Sequence, residues 1–303
     1  MSNNFARPLN TNDLVFRFLT KTLEIDNDDA AEYTQDVTKA EILLEEMKCR
    51  PTLEFSDNRN PKYKQDEIRK ILRSRIFDEL RQLNRLEDDE KISLGNGGAK
   101  PNSAVRKENQ AFLVIGLPAS GKSSISSKVA DYYGAYVVDS DYAKRKFPEY
   151  KHEFGASILH EESTLVTYGS SDNPKHNDEP CLIEYCLSSG INIVIPKIGH
   201  SMESLSKLFA IVKAFDYSVH LTLVSLDRQE SCRRALDRYL NTKRYVPLGL
   251  IFDDYANDPV LTYYRLKSKK DWASTGKIST LNLREQGPTF IEGDYNNPAC
   301  IFK

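Results

Sequence analysis

The sequence predicts an α/β fold, in which a parallel sheet with helices on both faces follows a small all-α helical bundle. From residue 108 onward, short β-rich apolar runs alternate with segments of helical periodicity, a pattern typical of a parallel sheet covered on both sides. The first of these runs leads directly into a glycine-rich loop that contains a lysine. Upstream of residue 93, apolar residues recur at three- and four-residue steps, which indicates amphipathic helices.

The composition excludes several classes of protein. The chain has 303 residues, 40% of them hydrophobic, and this favours about two folded domains over disorder. Its 42 basic and 44 acidic side chains give a formal charge of -2, which argues against general nucleic-acid binding. The longest apolar runs are of strand length, so no membrane span is expected. Five scattered cysteines without a CxxC pair favour a reducing, cytoplasmic location.

We predict three parts along the chain. Residues 1–92 form the helical bundle, residues 93–107 a breaker-rich exposed linker, and residues 108–303 the α/β domain. In the bundle, the predicted helices cover residues 14–23, 38–47 and 68–86. In the α/β domain, the predicted strands cover residues 111–115, 135–138, 191–195 and 219–224, and the predicted helices cover residues 122–133, 178–187, 201–215 and 228–240. Residues 281–303 are predicted as strand and coil, and no chemistry is assigned to them.

The most specific motif is an unbroken GxxxxGK[ST] pattern between a predicted strand and a predicted helix. In such a P-loop, backbone N–H groups and the positive end of the following helix bind phosphate oxygens. We expect Lys122 to reach the β- and γ-phosphates of ATP and the Ser123 hydroxyl to coordinate Mg²⁺. The expected nucleotide-binding residues are Gly116, Leu117, Pro118, Ala119, Ser120, Gly121, Lys122, Ser123 and Ser124.

Two carboxylates follow the next predicted strand, in Val138-Asp139-Ser140-Asp141. If that strand lies next to the loop strand, it brings Asp139 and Asp141 beside the γ-phosphate, where a carboxylate can accept the proton of an attacking hydroxyl. The alternative is that both residues only cap the following helix. No NKxD motif and no apolar run ending in Asp-Glu is present, which argues against a GTPase switch and a helicase-type motor.

A basic segment follows the fourth predicted strand. It contains Arg233, Arg234, Arg238, Lys243 and Arg244. Such arginines can clamp a transferred phosphoryl group and neutralise its charge. The alternative, a solvated helix face, is open for Arg233 and Lys243 in particular.

Over roughly residues 112–266, these motifs resemble the zeta toxin family of P-loop kinases from bacterial toxin–antitoxin systems. Besides the loop, the stretch from Val138 to Tyr150 is similar to the family's DxDxFR…HPxY motif. Leu236-Asp-Arg-Tyr239 is similar to ERY, and Arg244-Tyr-Val-Pro247 to RxVP. The resemblance implies a P-loop kinase-like fold in which Asp141 is the base and Arg238 and Arg244 stabilise the transferred phosphate.

The resemblance also implies a substrate. Members of the family use MgATP to phosphorylate the 3′-hydroxyl of the amino sugar of UDP-N-acetylglucosamine, which blocks cell-wall precursor supply, and an effector of similar fold phosphorylates NAD. This chain departs from the family where the latter has VIEGT followed by Arg. Here Pro196 replaces the glutamate, Lys197 lies beside it, and His200 takes the arginine position. We expect Asp139, Lys197 and His200 to contact the acceptor, and Lys197 favours one that carries a phosphate.

The family's separate helical antitoxin suggests a role for the fused bundle. We hypothesise that residues 1–92, which carry more acidic than basic side chains, inhibit the kinase domain in cis. The alternatives are a docking or dimerisation bundle, a kinase acting on NAD or another nucleotide, and an ATP-dependent interaction protein with little catalysis.

Overall fold

The computed structural model describes residues 6–47, 50–152, 154–169, 176–269 and 271–303. Its centre is a six-stranded sheet in the order β2-β3-β1-β4-β5-β6. The strands are parallel except β6, which is antiparallel to β5. Their bounds are Gln110–Ile115 (β1), Tyr136–Val137 (β2), Ile193–Lys197 (β3), Ser218–Ser225 (β4), Ser274–Ser279 (β5) and Thr289–Gly293 (β6). The predicted α/β architecture is confirmed.

One expectation about the sheet is wrong. The strand that precedes Asp139 was expected beside the loop strand β1, but β2 pairs with β3, and β3 lies between β2 and β1. Order along the chain does not determine order in a sheet, because a crossover connection can pass over a neighbouring position. As a result, Lys197 at the end of β3 pairs with Ile115 immediately before the P-loop.

Helices cover both faces of the sheet, and several have the predicted bounds. The helix after the P-loop (α4) spans Lys122–Tyr133 and ends at Gly134, and the helix capped by Asp227 (α10) spans Arg228–Thr242. The others on these faces are Ser140–Lys146 (α5), Gly155–Ile158 (α6), His160–Tyr168 (α7), Leu182–Ser188 (α8), Met202–Lys213 (α9) and Asp258–Lys267 (α11). Among them, α5, α6, α7 and α11 were not predicted, nor was the strand β5, whereas β6 lies within the stretch predicted as strand and coil.

The N-terminal helices do not form a bundle with a core of its own. They are Asn12–Arg17 (α1), continued as a π-helix over Phe18–Thr22, Asn27–Met47 (α2) and Asp66–Gln82 (α3). Helices α1 and α2 bury residues such as Val15 and Val37 against α10 and the segment after it. Helix α3 instead buries Leu72, Ile76 and Leu80 in the main core, together with the sheet. An apolar stripe shows that a helix is buried but not which partner covers it.

Helix α3 is also held by buried ion pairs. Arg69 contacts Glu149 (Nη1–Oε1, 2.8 Å) and Glu162 (Nη2–Oε2, 2.7 Å), and Arg73 contacts Glu162 (Nη1–Oε1, 3.0 Å). These carboxylates lie after α5 and in α7. Breaking such a buried pair leaves an uncompensated charge and costs about 3–5 kcal/mol. The attachment of α3 to the α5–α7 region is therefore integral to the fold.

The middle of the segment predicted as an exposed linker, residues 97–101, is packed, whereas the residues on either side of it are mostly exposed. Ala99 is fully buried, its carbonyl accepts a hydrogen bond from the Val137 N–H (2.9 Å), and the Arg85 N–H donates to the Lys100 carbonyl (2.7 Å). A Cβ atom at Gly98 would lie 2.2 Å from the Leu83 carbonyl oxygen. Glycine here permits close packing of the backbone rather than flexibility. The glycine-rich composition of the segment therefore wrongly indicated an exposed linker.

Two further expectations concern membranes and cysteines. No helix within the described ranges combines the length and apolarity that a bilayer span requires. Cys181, Cys186 and Cys232 are buried free thiols, whereas Cys49 lies outside the described residues.

Candidate functional site

The P-loop lies between β1 and α4, as its motif predicts. Gly121 has a φ of 85° at the start of α4, and Ala119 has a φ of 58°. A Cβ atom at Gly116 would lie 2.5 Å from the Val224 carbonyl oxygen, so only glycine allows the loop to leave the sheet at this point. The loop thus turns back over the end of the sheet and presents the N-terminus of α4 to the cleft.

Two distant hydroxyls hold the loop from behind. The Ser231 Oγ donates to the Pro118 carbonyl (2.5 Å), and the Thr280 Oγ1 donates to the Ser120 carbonyl (2.6 Å). Sequence reasoning missed both residues, because they lie in α10 and after β5 and belong to no motif. Thr280 also places residues after β5, including part of the unassigned C-terminal stretch, next to the nucleotide loop.

Lys122 is the first residue of α4, and its Nζ donates to the Leu117 carbonyl within the loop. Burial, together with the positive charge of Arg238, lowers the pKa of Lys122 to about 7, and the charges of Asp139 and Asp141 oppose this shift only in part. The ammonium group is thus held where it lacks a close negative charge, and nucleotide phosphates would supply one.

Ser123 and Ser124 occupy the first turn of α4, where both are exposed and line the cleft. The Ser123 hydroxyl forms no hydrogen bond within the described part of the chain, which leaves its oxygen available to a metal ion. Together with phosphate oxygens and water, a serine hydroxyl is a suitable Mg²⁺ ligand. The residues present therefore fit a nucleotide-bound Mg²⁺ ion.

Asp139 and Asp141 lie at the start of α5. Asp139 is the N-cap, and its Oδ1 accepts a hydrogen bond from the Asp141 N–H (2.9 Å), so the capping alternative describes this residue. Burial and the charge of Asp141 raise the pKa of Asp139 to about 6. Asp141 instead receives Lys144 Nζ at 3.0 Å and Arg244 Nη2 at 2.5 Å. Burial opposes its ionisation, but Lys144 and Arg244 hold the pKa of Asp141 well below its usual value.

Arg238 and Arg244 face the same cleft from α10 and the turn after it. The Nε atoms of both are buried without a hydrogen-bond partner. Burial and the neighbouring charge of Arg244 lower the pKa of Arg238 to about 10. Burial disfavours the charged form of Arg244 as well, but Asp141 raises the pKa of Arg244 above its usual value. Both guanidinium groups therefore have unused donors beside the P-loop lysine.

The other basic residues of this segment have different surroundings. Arg233 donates to the Leu23 carbonyl (2.8 Å) and Lys243 pairs with Asp36 (3.0 Å), so both contact the N-terminal helices. Arg234 pairs with Glu230 (2.8 Å), and its Nη2 donates to the Thr280 carbonyl (3.0 Å). These three side chains have structural partners.

Sequence reasoning also missed two charged residues of the cleft, Arg145 and Glu90. Glu90 Oε1 lies 3.0 Å from Arg145 Nη2 and 3.2 Å from Arg244 Nη1, so one carboxylate bridges two arginines. Burial would raise the pKa of Glu90, but these arginines hold it below its usual value. The only signals were the acidic run at residues 87–90 and the basic run at residues 144–146, neither of which identifies a partner.

Lys197 and His200 line the remaining side of the cleft. Lys197 Nζ lies 3.7 Å from the centre of the Tyr168 ring, and burial lowers the pKa of Lys197 to about 8. His200 is exposed at the rim and its ring lies 5.1 Å from that of Tyr255.

The predicted site residues line one cavity of about 1280 Å³, with three exceptions. These are Gly116, at the start of the P-loop, and Leu117 and Ser120 within it. The cavity extends from the P-loop to Lys197 and His200, and residues 87–90 form part of its wall. This volume suits a nucleotide and a second substrate side by side. The arrangement can bind phosphate, neutralise its charge and place a carboxylate next to it.

Comparisons with known proteins identify a family for this chain. The family model described as "Zeta toxin" matches residues 97–257, more than half of the chain. No curated protein has a significantly matching sequence. A structure from the PezAT toxin–antitoxin system of Streptococcus pneumoniae is 17% identical and covers 78% of this chain and 86% of its own, with a TM-score of 0.48. A gluconokinase from Sinorhizobium meliloti 1021 is 13% identical and covers 58% and 85%, with a TM-score of 0.32.

Proposed function

The chain belongs to the zeta toxin family, and from this premise we propose that it is an ATP-dependent small-molecule kinase that phosphorylates a hydroxyl group of a nucleotide-type acceptor. The observation that carries the proposal is the convergence of Lys122, Asp141, Arg238 and Arg244 on one cleft. A P-loop alone supports only nucleotide binding, whereas a carboxylate and two arginines beside it are the groups that phosphoryl transfer needs.

The residues divide the work as follows. The P-loop N–H groups and Lys122 bind the β- and γ-phosphates, and Ser123 helps to hold Mg²⁺, which neutralises charge on these phosphates. Arg238 and Arg244, whose Nε atoms lack partners, stabilise the negative charge on the transferred group. The acceptor oxygen forms a bond to the γ-phosphorus while the bond to the bridging oxygen of ADP breaks, and the hydroxyl proton passes to Asp141.

Asp141 is suited to this task but engaged in the structure. Its low pKa keeps it ionised at neutral pH and thus able to accept a proton. Both of its oxygens, however, are bound by Lys144 and Arg244. We propose that a bound γ-phosphate attracts Arg244 away from Asp141 and thereby frees the base.

The acceptor that the family suggests is UDP-N-acetylglucosamine, phosphorylated at the 3′-hydroxyl of its sugar, with inhibition of cell-wall synthesis as the consequence. The size of the cleft is compatible with a nucleotide sugar next to ATP. Lys197, which lies beside the proline that replaces the glutamate of the family motif, favours a second candidate acceptor of higher negative charge, such as NAD or another nucleotide.

We further propose that residues 1–92 restrain the kinase in cis through Glu90. Its Oε1 atom contacts Nη2 of Arg145 and Nη1 of Arg244. A phosphate group of a substrate would take the same position. The same segment is attached to the core through α3, which keeps the carboxylate at a high effective concentration beside these arginines.

The kinase proposal is tested by incubating the protein with MgATP and a panel of acceptors and measuring the mass gain of one phosphoryl group. Asp141→Asn should lower the rate about 10²–10⁴-fold and leave MgATP affinity within a few-fold, because the residue acts only on the acceptor proton. Asp237→Asn, an exposed change on α10, is the control. Tight MgATP binding with no transfer to any acceptor would instead support the interaction protein.

The restraint is tested in the full chain, because a fragment beginning at residue 96 would lose the core residues of α3. Glu90→Gln removes the charge that holds Arg145 and Arg244, so we expect activity to rise about tenfold. Glu87→Gln is the matched control, since Glu87 lines the same cleft but forms no ion pair within the described residues. Equal activity of the two variants would rule out restraint by Glu90.

A further inference from the structure

Lys197 is a cation of the cleft whose charge is not balanced by a carboxylate. It ends β3, and in the described part of the chain no acidic oxygen lies within 4.0 Å of its Nζ. Its Nζ lies over the face of the Tyr168 ring, 3.7 Å from the ring centre. A partly desolvated ammonium group on an aromatic ring gains about 0.5–2 kcal/mol, less than the cost of removing it from water.

The other cations around it differ. Lys144 pairs with Asp141, Arg145 with Glu90, and Arg244 with both carboxylates. Lys122 and Arg238 lack such a pair, but they lie where the phosphates of ATP bind. Lys197 therefore remains as a cation without a carboxylate partner among the described residues, and binding of the nucleotide does not explain its place in the cleft.

The ammonium group of Lys197 lies on the side of the cleft that we assign to the acceptor, near the start of α5. Tyr168, on which it lies, belongs to α7, and the Tyr168 hydroxyl donates to the Val138 carbonyl at the end of β2 (2.8 Å). The charges that act on Lys197 are those of Asp139, Lys144 and Asp141 rather than those of the P-loop. Asp139 attracts it, but an Asp139 oxygen is engaged by the Asp141 N–H.

We propose that Lys197 binds an oxyanion of the acceptor, a phosphate or a carboxylate close to the reacting hydroxyl, and so determines which acceptor is phosphorylated. This inference rests on the proposed kinase function. A cation that the protein leaves without a partner gains one when such an acceptor binds, because a charge-assisted hydrogen bond then replaces the lost hydration. The lowered pKa of Lys197 agrees with an ammonium group that lacks a negative partner.

Binding is tested without turnover by labelling amines of the full chain and measuring modification of each lysine by mass spectrometry. A non-hydrolysable MgATP analogue is present throughout, so that the P-loop is occupied. Inorganic phosphate in one arm and acetate in the other should protect Lys197, and the stronger effect identifies the preferred oxyanion. Lys207, which lines the same cleft and is exposed, should be labelled equally in all arms. Unchanged labelling of Lys197 in both arms would overturn the proposal.

Selection among acceptors is tested with pairs that differ by one oxyanion and otherwise carry no charge, such as N-acetylglucosamine 1-phosphate and N-acetylglucosamine, alongside UDP-N-acetylglucosamine and NAD. Lys197→Met should raise KM for the charged acceptor about 10–100-fold with a smaller change in kcat. Lys197→Arg should restore most of the affinity, and Lys207→Met should have no effect.

Equal losses in Lys197→Met with charged and neutral acceptors would indicate a structural role and refute the inference while the kinase function stands. If no acceptor is phosphorylated, the kinase function fails, and the labelling experiment still decides whether Lys197 binds an oxyanion.

Discussion

The two sides of the cleft are built in different ways. The nucleotide side, residues 116–124, is one continuous segment whose shape depends on backbone conformation, on Gly116 and on a helix N-terminus. The charged side consists of Glu90, Asp141, Arg145 and Arg244, which come from separate segments and meet only through their side chains. The shape of the loop is set by backbone conformation, whereas ion pairs can exchange partners when a new anion arrives.

This difference suggests where regulation lies. The shape of the P-loop depends on Gly116 and on hydrogen bonds to its backbone rather than on ion pairs, so we expect little to be switched there. On the charged side, Glu90 and Asp141 together occupy Arg244. Restraint and activation should therefore act through the arginines and leave nucleotide binding nearly unchanged.

The largest effect is expected on the charged side. Arg244→Ala should lower kcat about 10³-fold, because an arginine that stabilises the transferred phosphoryl group contributes on that scale. MgATP affinity should change only a few-fold, and this is measured by calorimetry beside the kinase assay. Lys243→Ala, which removes the adjacent exposed cation paired with Asp36, should retain full activity. A comparable loss in both variants would mean that the segment is merely disturbed.

A smaller effect is expected from loosening the nucleotide side. Thr280→Val removes the hydroxyl that donates to the Ser120 carbonyl and preserves the shape of the side chain. One lost hydrogen bond of about 1 kcal/mol should raise KM for MgATP about fivefold with little change in kcat. Thr20→Val, which removes a hydroxyl that donates to the Phe16 carbonyl in the N-terminal helices, is the control. If kcat fell and KM did not, the loop would not be the element that Thr280 supports.

The smallest effect concerns protons. Burial lowers the pKa of Lys122 to about 7. The phosphates of a bound nucleotide should raise this pKa again, because they favour the ammonium form. Between pH 7 and 9, MgATP binding should therefore take up close to one proton at most. Titration calorimetry in buffers of different ionisation enthalpy measures this uptake, which should disappear in Lys122→Met and persist in Lys128→Met. Proton release in the native chain would contradict the assignment.

Much of the fold could be predicted from the sequence because it depends on local patterns. The alternation of apolar runs and helices predicted the covered sheet, and Asp227 and Gly134 correctly marked helix ends. The short helix α5 was missed because its polar, basic sequence has no apolar stripe. Its buried residues include three charged ones, Lys144, Arg145 and Lys146. Strand β6, at the sheet edge, lies within the stretch that was predicted as strand and coil.

The candidate site was predictable to a similar extent. The P-loop and the cluster of Asp141, Arg238 and Arg244 rest on motifs, and the structure places these residues around one cleft. Their catalytic roles stay predictions. Glu90, Ser231 and Thr280 could not be found, since each acts through a partner far away in the sequence.

By itself, the sequence determined the P-loop, the helix caps and the alternation that leads to a covered parallel sheet. These features arise from interactions between residues a few positions apart, so the local pattern suffices. Only the tertiary structure decided that β3 separates β2 from β1, that α3 joins the main core, and that Glu90 pairs with Arg145 and Arg244. Such pairings depend on which surfaces and charges meet after the chain has folded, and no spacing along the sequence encodes that choice.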